Sequence, residues 1–455
     1  MKKGISRKSF DGLLDSARKK TLHKSSVSTE DFSGSIFESA YDSAAQASTS
    51  REIQATESIQ RDIRAAFKKP GLNHNPIGGH PDFAHLAETD QQEKHHICSL
   101  FLDIKNSTRL SFIYDLEDVV AIKNTILKAA AETVRAMDGY VHRFMGDALL
   151  AFFGGKDVNK DDSVINAINC ASVLESLMIG TIIPALEDNG FKASYLGFRI
   201  GLDYGADEKV LWSSYGLKGV YEVTATSFHV DVAAKLQNMA GRNKAMLGDS
   251  IMNEIDFPKA YQKVKAYTVN NEVKYVYTLN REYTDALGQT HTYKVRELYH
   301  EAYRDLLPYS TDLKETFYGS TTVSCHGITY FCNCIENGLE TEYRSISRAL
   351  EKGVSLSFKV QLSKSVYEEQ KFPLSITFTK RNHGKEAELR EQAGTFPKPV
   401  TVIVRDMGFR TPFFPGKTIE EPESTSYRGL HTMEAEVKDA DLKIIFKDII
   451  GIYIK

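Results

Sequence analysis

Cysteine is scarce in this sequence, with five residues among 455. So few thiols in a chain of this length favour reduced cysteines in a cytoplasm over a disulfide framework. Cys332 and Cys334, in the segment YFCNC, are close enough to touch one metal ion, but no second cysteine pair has ligand spacing. Alternating residues of a β-strand are therefore the favoured interpretation of this pair.

Long apolar runs and a strong charge of either sign are also absent. No window approaches the roughly 18–20 uninterrupted apolar residues of a membrane span. The basic N-terminal segment MKKGISRKSFDGLL lacks the apolar stretch of a secretory signal. The formal net charge is −3, from 57 basic and 60 acidic residues, which gives no reason to expect nucleic acid or an anionic membrane as a partner. We expect a cytoplasmic protein with neither partner.

The middle of the chain has the strongest pattern. Residues 94–285 alternate apolar strands with long amphipathic helices, which predicts an α/β domain in the form of an α+β sandwich. Strands are predicted at 97–103 and 195–205 and in a hairpin around Met145-Gly146-Asp147, and helices at about 116–137, 161–188 and 226–239.

The regions on either side of this domain differ from it in composition and in hydrophobic pattern. Residues 1–70 are polar and are predicted to be helical or partly disordered, and 71–93 form a linker rich in Gly, Pro and His. A charged segment predicts a connecting helix at 286–305. Short segments of alternating polarity over 306–455 predict a small all-β, sandwich-like domain.

An aspartate, Asp103, interrupts the apolar segment SLFLDIKNSTRLS. A carboxylate beside a hydrophobic core costs several kcal/mol unless something positive meets it. Asp147 occurs at the tip of a second apolar hairpin, RFMGDALLAFF, where Gly146 allows a backbone conformation that other residues disfavour. Two carboxylates that converge at strand ends repel each other unless divalent metal lies between them. Hard cations with oxygen ligands suit phosphoryl transfer.

Both segments resemble the metal-binding motifs of class III nucleotidyl cyclases, and the similarity spans about 95–280. The resemblance implies that Asp103 and Asp147 bind two divalent cations, Mn²⁺ or Mg²⁺, with the backbone carbonyl of Ile104 completing one coordination shell. It also implies that residues 104–108 wrap the triphosphate through backbone N–H groups. The implied nucleotide-binding residues of this region are Phe101, Asn106, Ser107 and Thr108.

The family completes its site across a head-to-tail homodimer, with N-x-x-x-R on a helix. This sequence departs from that pattern, because Asp231 stands at the asparagine position and Lys235 at the arginine position. The resemblance assigns both as catalytic residues. Lys235 would neutralise charge on the phosphate without the planar fork of arginine, and Asp231 would orient the ribose.

Two further positions bear on the base, Arg143 and a residue at or near Thr224. Neither the usual adenine-reading pair nor the guanine-reading pair is present. Arg143 supplies only donors, so it suits O2 and N3 of cytosine or O4 of uracil. A guanidinium fork matches the two adjacent acceptors of cytosine, which favours CTP over UTP. Thr224 discriminates weakly.

The linker GGHPDF and the C-terminal stretch resemble the bacterial pyrimidine cyclases of the Pycsar antiphage system and the sensor domain found in defence enzymes. This resemblance implies conversion of CTP or UTP to a 3′,5′-cyclic monophosphate during phage attack. A separate effector protein would respond to the product without binding the enzyme. The alternatives are a uridylate cyclase, an adenylyl cyclase in ordinary signalling and a degenerate module that only binds nucleotide.

Overall fold

The structure is a computed structural model that describes residues 4–25, 36–279, 282–403 and 416–455. These residues form two compact units. The first unit contains the described residues within 1–65, 69–157 and 170–246, and the second contains those within 66–68, 158–169 and 247–455. The fold class is α+β, as predicted.

The helices of the described residues are α1 Arg7–Ser25, α2 Ile36–Ala66, α3 Leu116–Ala136, α4 Lys160–Leu177, α5 Ile183–Asp188, α6 Phe228–Met239, α7 Asp249–Glu254, α8 His300–Tyr303, α9 Thr311–Lys314, α10 Lys364–Glu369 and α11 Lys385–Leu389. A π-helical turn, Met178–Ile182, joins α4 to α5.

The strands of the described residues are β1 Gln92–Lys94, β2 Ile97–Lys105, β3 Tyr140–Met145, β4 Ala148–Phe153, β5 Gly197–Gly205, β6 Leu211–Leu217, β7 Val220–Thr226, β8 Lys244–Gly248, β9 Gln262–Lys263, β10 Lys265–Val269, β11 Glu272–Val276, β12 Tyr283–Thr284, β13 Thr290–His291, β14 Val295–Leu298, β15 Ile328–Glu336, β16 Leu339–Tyr343, β17 Ala349–Leu350, β18 Ser355–Leu362, β19 Leu374–Asn382, β20 Gly394–Val402, β21 Lys417–Ser424, β22 Gly429–Lys438 and β23 Ile444–Ile454.

The main sheet of the first unit places β2 between β4 and β5, and β3 pairs with the outer side of β4. All three pairings are antiparallel. Strand β2 is buried along most of its length, which explains its nearly continuous apolar sequence. Helix α6 packs closely on β5, because a Cβ at Gly201 would overlap the backbone of Ala233 and Gln237.

A second sheet of the first unit has the order β1-β6-β7. Its buried Trp212 stacks on Phe83 with the two ring centroids 4.0 Å apart. Phe83 belongs to a short 3₁₀ helix, Pro81–Leu86, within the predicted linker. Strands β6 and β7 have no counterpart among the sequence predictions.

The N-terminal region predicted as helical or partly disordered contains α1 and α2, while residues 1–3 and 26–35 lie outside the described residues. Helix α2 contacts α3 through two polar pairs. Gln60 Nε2 of α2 donates to the Glu132 carboxylate of α3, and Glu52 of α2 forms an ion pair with Lys128 of α3.

The prediction of a connecting helix at 286–305 is wrong. Only α8 and a 3₁₀ turn, Arg304–Leu306, are helical there, and β13 and β14 precede them. Strand β14 pairs with β9 and buries Val295 and Leu298. A spacing of three between two apolar residues fits one helix face, but strand pairing determines the conformation here. The predicted domain boundaries at 285 and 305 stay predictions.

Two sheets in the second unit, in the orders β16-β15-β18-β21 and β17-β23-β22-β19-β20, share one hydrophobic core. In the second of these sheets, β17 pairs with β23 in parallel. Phe358 of one sheet and Phe378 and Phe446 of the other are buried in it. Cys332 and Cys334 are buried on β15, so the strand interpretation of YFCNC is confirmed. Burial raises the pKa of the Cys332 thiol.

Among the described residues, one helical stretch, Lys160–Asp188, is long and apolar enough to cross a membrane by length and composition alone. Its most apolar window is 78% buried inside the protein, as in a helix packed within a protein core. The absence of a membrane partner and the cytoplasmic location stay predictions.

Candidate functional site

Asp103 lies near the end of β2 with only 9% of its surface exposed. Arg199 of β5 stands directly opposite in the strand register, and its Nε donates to Asp103 Oδ2 at 2.8 Å. Gln237 Nε2 of α6 donates to the same oxygen at 3.3 Å. The positive group that the sequence argument required beside this carboxylate is therefore present within the chain.

Asp147 occupies the turn between β3 and β4. Gly146 has a φ of +66°, a conformation that glycine adopts at little cost. The Ser107 hydroxyl donates to Asp147 Oδ2, and Lys123 Nζ of α3 lies 3.7 Å from that oxygen. Because Asp103 pairs with Ala148 across β2 and β4, the two aspartates lie at neighbouring sheet positions.

The two carboxylates line one open, polar cavity of about 530 Å³. The structure brings six of the predicted site residues together there. The residues lining the cavity are Asp103, Ile104, Lys105, Asn106, Ser107, Thr108, Arg109, Asp147 and Arg199.

The donor set of this cavity fits divalent cations. Two carboxylates and a backbone carbonyl are hard oxygen ligands of the kind that Mg²⁺ and Mn²⁺ prefer. Arg199 and Lys123 offset the negative charge of the carboxylates in the chain as it stands. Lys123 reaches Asp147 only at 3.7 Å, so its flexible side chain can give way to a cation.

The loop after β2 is shaped by Asn106, which has a left-handed backbone with a φ of 65°. Its side-chain Nδ2 donates to the carbonyl of Tyr195 at 2.8 Å, and the guanidinium of Arg109 lies 4.6 Å from the ring centroid of Tyr195. A 3₁₀ helix, Ser107–Phe112, begins directly after Asn106. The first N–H groups of a helix have no partner within it, which makes this loop suitable for a phosphate.

Asp231 and Lys235 are exposed on α6, four residues apart on one face, and neither lines the cavity. The N-cap Ser227 accepts the amide of His229 at 3.1 Å. The ring of His229 lies 3.0 Å from Oδ2 of the buried Asp203. These contacts hold the buried side of α6 on β5 and leave the Asp231–Lys235 face toward solvent.

Arg143 of β3 and Glu222 of β7 form an ion pair. Glu222 and Thr224 are two residues apart on β7 and share one face of the strand. His142 Nε2 lies 3.2 Å from the Glu222 carboxylate. Burial, together with the charge of Arg143, lowers the pKa of His142 to about 4. This arrangement joins Arg143 to the strand that carries Thr224, away from the cavity.

Phe101 is the other predicted nucleotide-binding residue outside the cavity lining. It packs against the apolar cluster around Trp212 and Phe152. Sequence reasoning also missed the residues that contact the predicted ones: Arg199, Gln237, Lys123 and Glu222. A charged residue within the apolar strand YLGFRIGLDYG was the available signal for Arg199, whereas Glu222 gave none.

Large apolar side chains are exposed in three segments of the first unit. These are the start of α3 with the turn before it, the tip of the β3–β4 hairpin and the β6–β7 hairpin. Their members are Phe112, Leu116, Val120, Phe144, Met145, Tyr215, Leu217, Val220 and Tyr221.

Comparison with known proteins gives one family match, two related sequences and one similar solved structure. The family model of the adenylyl/guanylyl and SMODS C-terminal sensor domain matches residues 309–455. A cytidylate cyclase of Escherichia coli is 37% identical over 469 aligned residues, covering 100% of this chain and 99% of the relative. A cytidylate cyclase of Staphylococcus aureus is 34% identical over 402 residues, covering 87% of each chain. Among solved structures, the adenylyl cyclase CyaB of P. aeruginosa aligns with a TM-score of 0.37 and 15% identity, over 46% of this chain and 95% of that one.

Proposed function

Because this chain belongs to the nucleotidyl cyclase family of the cytidylate cyclases, we propose that it converts CTP to 3′,5′-cyclic CMP and pyrophosphate. We propose further that it acts as a homodimer and uses two divalent cations. The observation that carries the proposal is the meeting of Asp103 and Asp147 in one polar cavity beside the Asn106 loop. Full-length similarity to relatives named cytidylate cyclase supports the choice of substrate.

Asp103, Asp147 and the carbonyl of Ile104 would hold Mg²⁺ or Mn²⁺. When bound, these ions would polarise the 3′-hydroxyl and neutralise the leaving pyrophosphate. The loop of Asn106, Ser107 and Thr108 would orient the triphosphate through backbone N–H groups. In the proposed reaction the 3′-oxygen would form a bond to the α-phosphorus and release its proton to solvent, while the bond to the pyrophosphate oxygen would break.

A homodimer is supported by the position of the two predicted catalytic residues, which do not line the cavity of their own chain. Asp231 and Lys235 are exposed on α6 and do not line it, and large apolar side chains lie exposed on the same unit. A head-to-tail dimer would bring Lys235 of the partner subunit to the phosphate and Asp231 of the partner subunit to the ribose. Each dimer would contain two such composite sites.

The Arg143–Glu222 pair supports cytosine as the base. Cytosine presents two acceptors, O2 and N3, beside one donor, the N4 amine. A guanidinium next to a carboxylate offers two donors beside one acceptor, which is the complementary sequence of groups. Uracil presents O4 and a donor at N3, so the carboxylate would face an acceptor and the guanidinium a donor. We assign Glu222 as the acceptor for N4, with Thr224 beside it.

The remaining assignments concern biology. We infer that the cyclic nucleotide is a second messenger in antiviral defence and that a separate effector protein responds to it. The C-terminal sensor-type domain at 309–455 supports this setting. Uridylate cyclase activity is the nearest alternative, followed by adenylyl cyclase activity in ordinary signalling and by nucleotide binding without turnover.

The test is an assay of pyrophosphate release and cyclic product with each of the four ribonucleoside triphosphates, in Mn²⁺ and in Mg²⁺. Cyclic CMP should be the main product when the four substrates compete at equal concentration. Cyclic UMP as the main product would refute the Arg143–Glu222 argument and leave a pyrimidine cyclase. Cyclic AMP would support ordinary signalling, and no turnover would support a binding module.

A further inference from the structure

A second group of potential metal ligands lies in the first unit, apart from the aspartates of the cavity. One ligand atom each from His95, His96 and Asp207 lies within 4.8 Å of the other two. His95 and His96 lie between β1 and β2, and Asp207 begins the 3₁₀ turn Asp207–Lys209 between β5 and β6. Two imidazoles and a carboxylate form a donor set that zinc prefers.

The hydrogen bonds of His95 favour metal binding. Its Nδ1 lies 3.0 Å from the carbonyl oxygen of His96, so Nδ1 carries the proton and Nε2 the lone pair in the neutral ring. Histidines that bind metals commonly donate their other ring N–H to a carbonyl or carboxylate. The indole of Trp212 donates to the carbonyl of His95 at 3.3 Å, which fixes the backbone of this residue.

The ligand atoms of Asp207 and His96 lie at nearly the distance that separates two ligand atoms bound to the same ion. His96 Nδ1 lies 3.0 Å from Asp207 Oδ1, and the backbone amide of His96 donates to the same oxygen at 2.9 Å. Tetrahedral zinc with bonds of about 2.0–2.1 Å separates its ligands by about 3.3 Å. His96 is buried, and the rings of His95 and Phe83 are 5.6 Å apart, so the group has an apolar side.

This group is well separated from the cavity. His96 precedes Asp103 by seven residues of extended chain, which corresponds to about 23 Å along β2. Ile97 of β2 pairs with Gly205 of β5, so the histidines and Asp207 lie at the opposite end of these two strands from Asp103. An ion here would not contact the triphosphate.

We propose that His95, His96 and Asp207 bind one Zn²⁺ ion, with water as the fourth ligand. The ion joins the chain entering β2 to the chain leaving β5. Asp207 leads through its short turn into β6, and β6 pairs with the strand that carries Glu222 and Thr224. Zinc therefore holds in place the start of β6, and with it the end of the β6–β7 hairpin that lies nearest to Asp207 in the chain.

The experiment measures zinc stoichiometry on the full chain, because Zn²⁺ could also bind the carboxylates of the cavity. The Asp103→Asn/Asp147→Asn double variant is stripped with a chelator, reloaded with Zn²⁺, desalted and analysed by elemental mass spectrometry. One zinc per chain is expected in this variant. Loading with Co²⁺ should give the visible absorption of a tetrahedral site with nitrogen and oxygen ligands.

The same background then carries either His95→Gln or Asp207→Asn, with His85→Gln as the matched control. His85 is an exposed histidine paired with Glu93, outside the proposed ligand set. Zinc should fall at least about tenfold below one equivalent in the first two variants and stay at one in the control. Zinc should also raise the melting temperature of the double variant by a few degrees, and only when His95 and Asp207 are present.

Two results would overturn the proposal. One is a double variant that binds no zinc although wild type does, which would place the ion at Asp103 and Asp147. The other is one full equivalent of zinc in both His95→Gln and Asp207→Asn. Because zinc content is read without turnover, neither result depends on the identity of the substrate.

Discussion

The cavity around Asp103 and the Arg143–Glu222 ion pair belong to the same unit but differ in one respect. The cavity gathers most of the predicted site residues, whereas the ion pair lies outside its lining. The two aspartates of the cavity contact Arg199, Lys123 and Ser107. The other region has its own ion pair between Arg143 and Glu222, yet it lies outside the cavity, and Asp231 and Lys235 of α6 are exposed. Under the proposed function, one chain would build the metal and phosphate half of a site and would present the base and ribose half to a second copy.

The largest expected effect is loss of activity on substitution in the cavity. Asp103→Asn or Asp147→Asn should lower cyclase turnover by at least about 1,000-fold, because each removes a charged ligand of the cations. Asparagine keeps an acceptor for Arg199 or Ser107, so the fold should persist, as circular dichroism can check. Asp103→Ala and Asp147→Ala should be equally inactive.

The exposed Asp90 provides the control, since Asp90→Asn changes a carboxylate of a surface turn. Its turnover should equal that of wild type. Activity of either cavity variant within tenfold of wild type would contradict the assignment of these two aspartates.

The second expected effect tests whether the two regions act across subunits. Asp103→Ala chains and Lys235→Ala chains should each be nearly inactive. Mixed in equal amounts, they should regain about a quarter of the wild-type rate, because half of the dimers are mixed and each mixed dimer has one intact site. Differently tagged chains purified as confirmed heterodimers should reach about half of the wild-type rate, because every such dimer keeps one intact site of two.

A lack of recovery in such heterodimers would indicate that each chain completes its own site. Mixing Asp103→Ala chains with Asp147→Ala chains is the matched control. Both changes affect the same half of the site, so no intact site forms and no recovery is expected.

A smaller effect is expected on selectivity. Glu222→Gln should lower the preference for CTP over UTP by about 10- to 100-fold, because the lost charge-assisted contact to the N4 amine accounts for about 1–3 kcal/mol. The ratio of kcat/KM for CTP to that for UTP is the measurement. Glu187→Gln, on the exposed end of α5, is the control, and an unchanged ratio in Glu222→Gln would remove Glu222 from the base-reading role.

The smallest expected effect concerns pH. Burial, then the charge of Arg143, lowers the pKa of His142 from 6.5 to about 4, so between these values the unfolded chain binds more protons than the folded one. The folded unit should therefore lose stability as the pH falls from about 6.5 to 4, with His142 accounting for about 1–2 kcal/mol after allowance for partial exposure.

Urea unfolding followed by the fluorescence of Trp212, the single tryptophan of the sequence, reports on this unit. His142→Gln should flatten the dependence of the unfolding free energy on pH, whereas the exposed His85→Gln should leave it unchanged. An equal dependence in wild type and His142→Gln would exclude His142 as a source.

Sequence patterns predict correctly those parts of the structure whose signals lie within a short stretch of chain. An aspartate inside an apolar strand identified Asp103, a Gly-Asp pair between two apolar segments identified the hairpin of Asp147, and long amphipathic runs identified α3, α4 and α6. The alternation of polarity after residue 306 likewise identified the β-sandwich. In each case the periodicity or the turn residue lies within a short stretch of chain.

Contacts between residues far apart in the sequence depend on the folded arrangement of the strands. Arg199 contacts Asp103 across 96 residues of sequence and Arg143 contacts Glu222 across 79, because the register of paired strands brings them together. The same long-range pairing makes β14 a strand where local charge and spacing predicted a helix. It also brings His96 to Asp207 across 111 residues, since adjacent ends of paired strands converge whatever their separation in sequence.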